Sequence, residues 1–415
     1  MTGSAADSRR AAAKRLLPTA GFAALAAFTV ARSALRFANS DDFDLALDKW
    51  PPPVAWLWAQ HNEHRILLPK LLLAWCARHG DFRVGVWLSL ALLTAACAWL
   101  VTRVERGLVA DVLVPALLLC PANNAWHWDV ELQFVACAAL FVVAFAAALT
   151  ARGPRDAIIL AVASLLLPLT GGNGLVLSGA TILAALVLAR DRAFDRSTRA
   201  IFVAGAILTL ALDVAYVHGY RAPPQHEALH ATSPAQLVSV AAHLLLAPLG
   251  GVAERFVVVA APLVALAFVA AAVAIARAPR RFVHACFFAG SLALVATVAA
   301  ARAGRGWPAL ELHYASLVAP AYVVAIVALS PLLSPLRAVA IAAAACAAAM
   351  CLAYLPTATP ESRLNERAFI ADCGRASGDV LAARYLPLFY FVDTPDARAR
   401  VARYVAALDC DALRR

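Results

Sequence analysis

Apolar residues in this chain fall in long runs separated by short polar turns, without the 3.6-residue alternation of a helix that has one wet face. A run of about 20 residues crosses ~30 Å of hydrocarbon as a helix, which satisfies its own backbone hydrogen bonds there. The runs predict spans at 16–37, 82–102, 108–122, 132–150, 156–170, 174–189, 200–217, 255–276, 282–301, 315–332 and 337–355, about eleven in an all-α polytopic bundle. Two more apolar segments, Ile66 to Arg78 and Leu237 to Gly250, are too short to cross and are expected as interfacial or re-entrant helices on the outer side. The break Gly171-Gly172-Asn173-Gly174 reads as a tight outer turn between two helices. From about Pro356 the pattern turns polar. Helices are expected there from Glu361 to Arg375 and from Pro395 to Leu408, the second capped by Thr394, with an extended aromatic stretch from Tyr385 to Val392 between them.

Charge orients these elements. Arg9, Arg10, Lys14 and Arg15 precede the first run, a layout that predicts an uncleaved signal-anchor with residues 1–15 in the cytoplasm. The short loops that then fall inside carry Arg103 and Arg106, Arg152 and Arg155, Arg190 to Arg199, and Arg277 to Arg281. The outer turns at 121–131 and 171–174 carry no Lys or Arg, which is the asymmetry of the positive-inside rule. On this topology the transmembrane bundle is 16–355, and the outer loops are 38–81, 121–131, 218–254 and 302–314. The C-terminal segment 356–415 is extracytoplasmic, and the expected location is a bacterial plasma membrane.

Composition narrows the class further. At 63% hydrophobic and 15% charged, the chain is no cytosolic enzyme, secreted disulfide scaffold or disordered tail protein. The formal charge of +10 does not point to nucleic acid, because the basic residues stand singly at the ends of runs. Most of the nine cysteines lie in apolar runs without metal-ligand spacing. Cys373 and Cys410, both in the polar C-terminal segment, are a candidate disulfide pair in an oxidising compartment. There is no GxxxxGK[ST], no GxGxxG after a strand and no HExxH.

Polar and aromatic residues gather in the outer loops. The first holds Asp41, Asp42, Trp56, Trp58, His61, Glu63, His64, Arg65 and Lys70. A carboxylate at the mouth of a membrane cavity is partly desolvated and suited to act as a base; equally, Asp41 and Asp42 suit the N-cap of an interfacial helix. The second loop holds Trp126, Trp128, Asp129 and Glu131. Two carboxylates at DxE spacing suit a divalent cation or sugar hydroxyls, or else cap the following span beside an aromatic belt. Arg302 and Arg305 lie outside against the charge trend and suit an anionic headgroup, with Arg65 and Lys70 as further donors, or else snorkel to lipid. His61 and His64 around Glu63 have ligand types but weak metal spacing. Asp111 and Asp213 sit near helix ends, where hydration or an arginine partner explains them as well as function does.

This layout resembles the GT-C superfamily of polytopic glycosyltransferases, which use polyprenyl-phosphate-linked sugars outside the cytoplasm. The resemblance covers roughly residues 10 to 355 and rests on the acidic first outer loop with Asp41 and Asp42, the helix-forming stretch 54–78, and Asp129 and Glu131 in the next outer loop. It implies that Asp41 or Asp42 deprotonates an acceptor hydroxyl, inverting the anomeric carbon. It further implies that Arg302, Arg305, Arg65 and Lys70 stabilise the departing polyprenyl phosphate, and that Trp56, Trp58, Trp126 and Trp128 stack on sugar faces or anchor the interface. The implied partners are membrane lipids, a polyprenyl-phosphate sugar and a glycan or lipid acceptor. A transporter or lipid flippase, or an assembly protein without catalysis, is the rival reading; the gathering of polar groups on one side favours extracytoplasmic chemistry.

Overall fold

The computed structural model describes residues 5–34, 36, 51–61, 64–79, 81–104, 107–119, 131–221, 233–250, 253, 256–305, 314–333, 360–389, 394–408 and 410, with isolated positions between 338 and 349. Among the described residues it is all-helical, without a strand. In chain order the helices are α1 (Ala5–Ser33), α2 (Val54–Trp58), α3 (Leu67–His79), α4 (Arg83–Arg103), α5 (Leu108–Leu118), α6 (Leu132–Leu149), α7 (Pro154–Leu166) and α8 (Gly172–Ala189). They continue as α9 (Arg196–Val217), α10 (Pro234–Leu246), α11 (Val257–Arg277), α12 (Arg281–Arg302), α13 (Ala315–Leu333), α14 (Pro360–Asp372), α15 (Gly378–Phe389) and α16 (Pro395–Ala407). Seven of these, α4, α6, α8, α9, α11, α12 and α13, are long and apolar enough to cross a membrane. Helices α3, α5 and α10 are apolar but shorter. The chain is therefore a multi-pass membrane bundle.

Two helices form its centre. Along α6 and α13 respectively, 83% and 78% of the apolar stretch is buried, against 28% for α9 and 22% for α11, which lie at the rim. A helix apolar all round can be buried on every side, which is why α6 shows no polar stripe. Lipid tails are as apolar as leucine, so helices associate here through close packing of small residues. At Gly290 a methyl would collide with the Cβ of Ala180, and at Gly205 it would sit 2.6 Å from the Cβ of Ala161, so α12 lies directly on α8 and α9 on α7. Phe141 and Phe287 pack at 4.9 Å between α6 and α12.

Arginines close the end of the bundle where α4 and α6 finish. Arg15 holds Asp111 through two bonds, Nε to Oδ2 at 3.0 Å and a terminal nitrogen to Oδ1 at 2.9 Å, and also donates to the carbonyl of Val104. Arg103 pairs with Asp156. Arg280 donates to the carbonyls of Ala148 and Leu149, which α6 cannot satisfy itself at its C-terminus, and to that of Ala151 just beyond it. These partners explain the carboxylates at 111 and 156 without a ligand.

At the opposite end, called the outer end here, the C-terminal helices form a small separate core around Phe369, Leu381, Phe389 and Val401. Cys373 and Cys410 are joined by a disulfide, with Cα atoms 5.5 Å apart. The stretch from Tyr385, expected extended, starts with a kink at Tyr385 (φ −113°, ψ 15°) and then runs helically to Phe389, with the rings of Tyr385 and Phe389 packed against Phe369 at 5.6 and 5.0 Å. This segment docks on the bundle. Glu366 accepts from the Arg36 amide at 3.3 Å, and Tyr404 packs against the cluster of Ile66, Leu73, Cys76 and Phe82.

Candidate functional site

The first outer loop is a folded element. Helix α2 starts after Pro53 and ends at Ala59, and the Nζ of Lys70 donates to the carbonyls of Trp56 and Ala59 at 2.9 and 2.6 Å. Lys70 projects from α3, is buried, and lies 5.1 Å from the ring centre of Trp56. Burial pushes its amine down to about 8, because a charged group loses hydration there. His61 and His64 exchange backbone bonds at 2.7 and 2.8 Å, which turns the chain back on itself.

That turn is seated on the end of α9 and the start of α8. The backbone amide of Arg65 donates to the Tyr216 hydroxyl at 2.9 Å, and its guanidinium donates to the carbonyls of Ala215 and His218 at 3.3 and 2.9 Å. Arg65 thus caps the C-terminus of α9, while stacking 5.5 Å from the ring centre of Trp58. Gln60 clamps the next step by exchanging two bonds with the backbone of Arg221, at 2.6 and 3.1 Å. The Gly172 amide, at the start of α8, donates to Nδ1 of His64 at 3.3 Å, which requires that nitrogen to be unprotonated. The glycine turn makes this possible. Gly171 has φ +139°, a side chain on Gly172 would meet the His64 ring at 3.0 Å, and one on Gly174 would overlap the Leu167 carbonyl.

Two contributors here have little signature in the sequence. Tyr216 is buried in the last turn of α9 and anchors Arg65. Asp213, one turn away, accepts from the Ser178 hydroxyl at 2.8 Å through one oxygen, and its other oxygen is buried without a hydrogen-bond partner among the described residues. Only the i, i+3 spacing of Asp213 and Tyr216 on one helix could have linked them beforehand.

Of the other candidates from the sequence, Glu131, Arg302 and Arg305 are described. Glu131 is buried at the start of α6, where its carbonyl accepts from Phe134 and Val135. Arg302 is half-buried in the last turn of α12, and Arg305 lies in the following 3₁₀ turn, beside α10. Asp41, Asp42, Glu63, Trp126, Trp128 and Asp129 lie outside the described residues. Among those described, no three His, Cys, Asp or Glu side chains form a metal-binding group.

Beneath this end a crevice of about 540 Å³ opens between α3, α4, α6 and α7. Leu68 and Leu72 line its top, Leu92, Leu140 and Ile159 its walls, and Trp99 its floor. Leu88 to Trp99 represents roughly 16 Å of helix, about half of a hydrocarbon layer. No ionisable side chain lines it. Its upper rim belongs to α3, which carries Lys70, and to Leu132 at the base of the second outer loop. Among known protein families, curated proteins and solved structures, none matches the chain.

Proposed function

We propose that the protein is a GT-C-like membrane glycosyltransferase that moves a sugar from a polyprenyl-phosphate donor to an extracytoplasmic glycan or lipid acceptor. This reading includes about eleven spans, a cytoplasmic N-terminus, an extracytoplasmic C-terminus and a bacterial inner membrane. The observation that carries it is the apolar crevice, whose rim is formed by Leu68 and Leu72 of α3 and Leu132 at the start of α6, the points where the two acidic, aromatic stretches of sequence join the bundle. A substrate that satisfies both is a hydrocarbon chain with a polar head, whereas a hydrophilic solute gains nothing from such walls.

On this reading the hydroxyl oxygen of the acceptor bonds to the anomeric carbon as the carbon–oxygen bond to phosphate breaks. The proton passes to Asp41 or Asp42, and polyprenyl phosphate departs with the electron pair. Arg302 and Arg305 stabilise the phosphate charge. Arg65 and Lys70 already donate to backbone carbonyls, so their part is to hold the loop in place. A divalent cation at Asp129 and Glu131 is compatible with the reaction but not required by a monophosphate leaving group.

The test is mass spectrometry of extracytoplasmic glycans and lipids from cells lacking the gene, complemented with wild type or with D41N/D42N. A sugar that is missing, and restored only by wild type, supports the assignment. Unchanged glycans despite good expression, or full restoration by the double variant, would remove it.

A further inference from the structure

A shallow, open surface depression of about 620 Å³ lies at the end of the bundle opposite the outer loops, where α8 ends and α9 begins. Its wall is one stripe of α9: Arg196, Arg199, Ala200, Val203, Ala204 and Ile207, at the three- and four-residue steps that share a helix face. Ala189 of α8 closes the side. Small residues at 189, 200 and 204 leave a groove between the helices, and Val203 and Ile207 remain 38% and 60% exposed in the rim of the bundle. Two cations therefore stand at the end of an open, shallow apolar groove.

The cations are available. Asp195, the nearest carboxylate, attracts Arg199 through its charge but spends its hydrogen bonds on α9 itself, accepting from the Thr198 amide at 2.6 Å and from the Ser197 hydroxyl at 3.0 Å. The amides of the first turn are thus satisfied in part by the protein itself, so an anion here must be held by the side chains. Arg196 is exposed, and the Nε of Arg199 is buried without a hydrogen-bond partner among the described residues. The connection carries Arg190 and Arg192 besides, so positive charge exceeds the two aspartates at 191 and 195.

We propose that this groove binds an anionic phospholipid, with its phosphate between Arg196 and Arg199 and an acyl chain along Ala200, Val203, Ala204 and Ile207. A guanidinium fork matches phosphate oxygens, and basic pockets between membrane helices suit anionic headgroups. A free anion would leave the apolar groove unused, and a zwitterionic lipid would set its own cation against the arginines. The proposal is independent of sugar transfer at the other end. On the topology above, the site faces the cytoplasmic leaflet.

The experiment is native mass spectrometry of delipidated protein in detergent, titrated with phosphatidylglycerol or phosphatidylcholine, with inorganic phosphate as competitor. Wild type is expected to prefer phosphatidylglycerol roughly tenfold or more, with millimolar phosphate displacing little of it. R196Q/R199Q should reduce the preference to about twofold or less, and A204F, which fills the groove, should weaken both lipids. Equal binding of the two lipids by wild type, a preference unchanged in both variants, or complete displacement by phosphate would overturn the proposal. Because A204F retains both arginines, a folding failure of the arginine variant leaves the question decidable.

Discussion

Lys70 carries an amine inside an apolar setting, and the sign of its effect on stability follows from that. Its folded pKa of about 8 lies below the unfolded value of about 10.4, so between those limits the unfolded chain binds more protons and stability rises with pH. Below about pH 8 the full cost of the buried charge is present. Thermal unfolding of wild type and K70M between pH 7 and 10 should show a difference that grows in favour of wild type as pH rises; a pH-independent difference would argue against a buried amine. Arg65 supplies a second test at this scale. Y216F removes one hydroxyl acceptor and should cost about 1 kcal/mol, whereas R65M strips two carbonyls of charged donors and should cost about 2–3 kcal/mol, read from denaturation in detergent. The sequence offered these residue types in one short stretch, but not their partners. Arg65 read as a ligand donor because nothing in a local pattern reveals a backbone carbonyl 150 residues away at the end of another helix, and Lys70 because residue types alone do not show that the loop folds its Trp56 and Ala59 carbonyls back onto the amine.

At the scale of elements, hydropathy located most helices to within a few residues, because length and apolar content are local properties. It overestimated helix length where proline intervenes. The segment expected at 156–170 is α7 followed by a 3₁₀ turn that starts at Pro168. It also missed the helical turn that follows the kink at Tyr385 and ends at Phe389, whose aromatic composition suits a strand in isolation but whose rings are held by Phe369. Close helix packing is testable here. G290A places a methyl against Ala180 and should destabilise the pair α8–α12 by about 1–3 kcal/mol, and the double variant A180G/G290A should recover much of that. No recovery would mean that the two sites do not share one contact. The C-terminal helices depend instead on a covalent tie. A disulfide spanning 37 residues contributes up to about 4 kcal/mol, so C373S/C410S should make residues 360–410 the first site of limited proteolysis while the bundle stays intact.

For the whole molecule, the crevice is the feature that hydropathy could not show. A leucine facing lipid, a neighbouring helix or an open crevice has the same hydrophobicity, and the walls here come from four helices between Leu68 and Leu166. The proposed reaction makes that crevice as necessary as the aspartates, which can be tested by filling it. Ala95 and Ala139 line it, on α4 and α6, and a phenylalanine at either position occupies volume that a lipid chain would otherwise take. Ala95 is exposed and Ala139 buried, so A95F should be tolerated by the fold, whereas A139F also risks overpacking. If the donor chain lies there, A95F should cut restoration of the missing sugar at least tenfold while Asp41 and Asp42 are untouched, and protein purified from those cells should retain less co-purifying lipid. D41N/D42N should lose transfer yet keep that lipid, because it blocks chemistry and leaves the crevice open. Opposite behaviour of the two variants separates binding from catalysis, and an A95F protein that transfers sugar and retains lipid like wild type would place the donor elsewhere in the bundle.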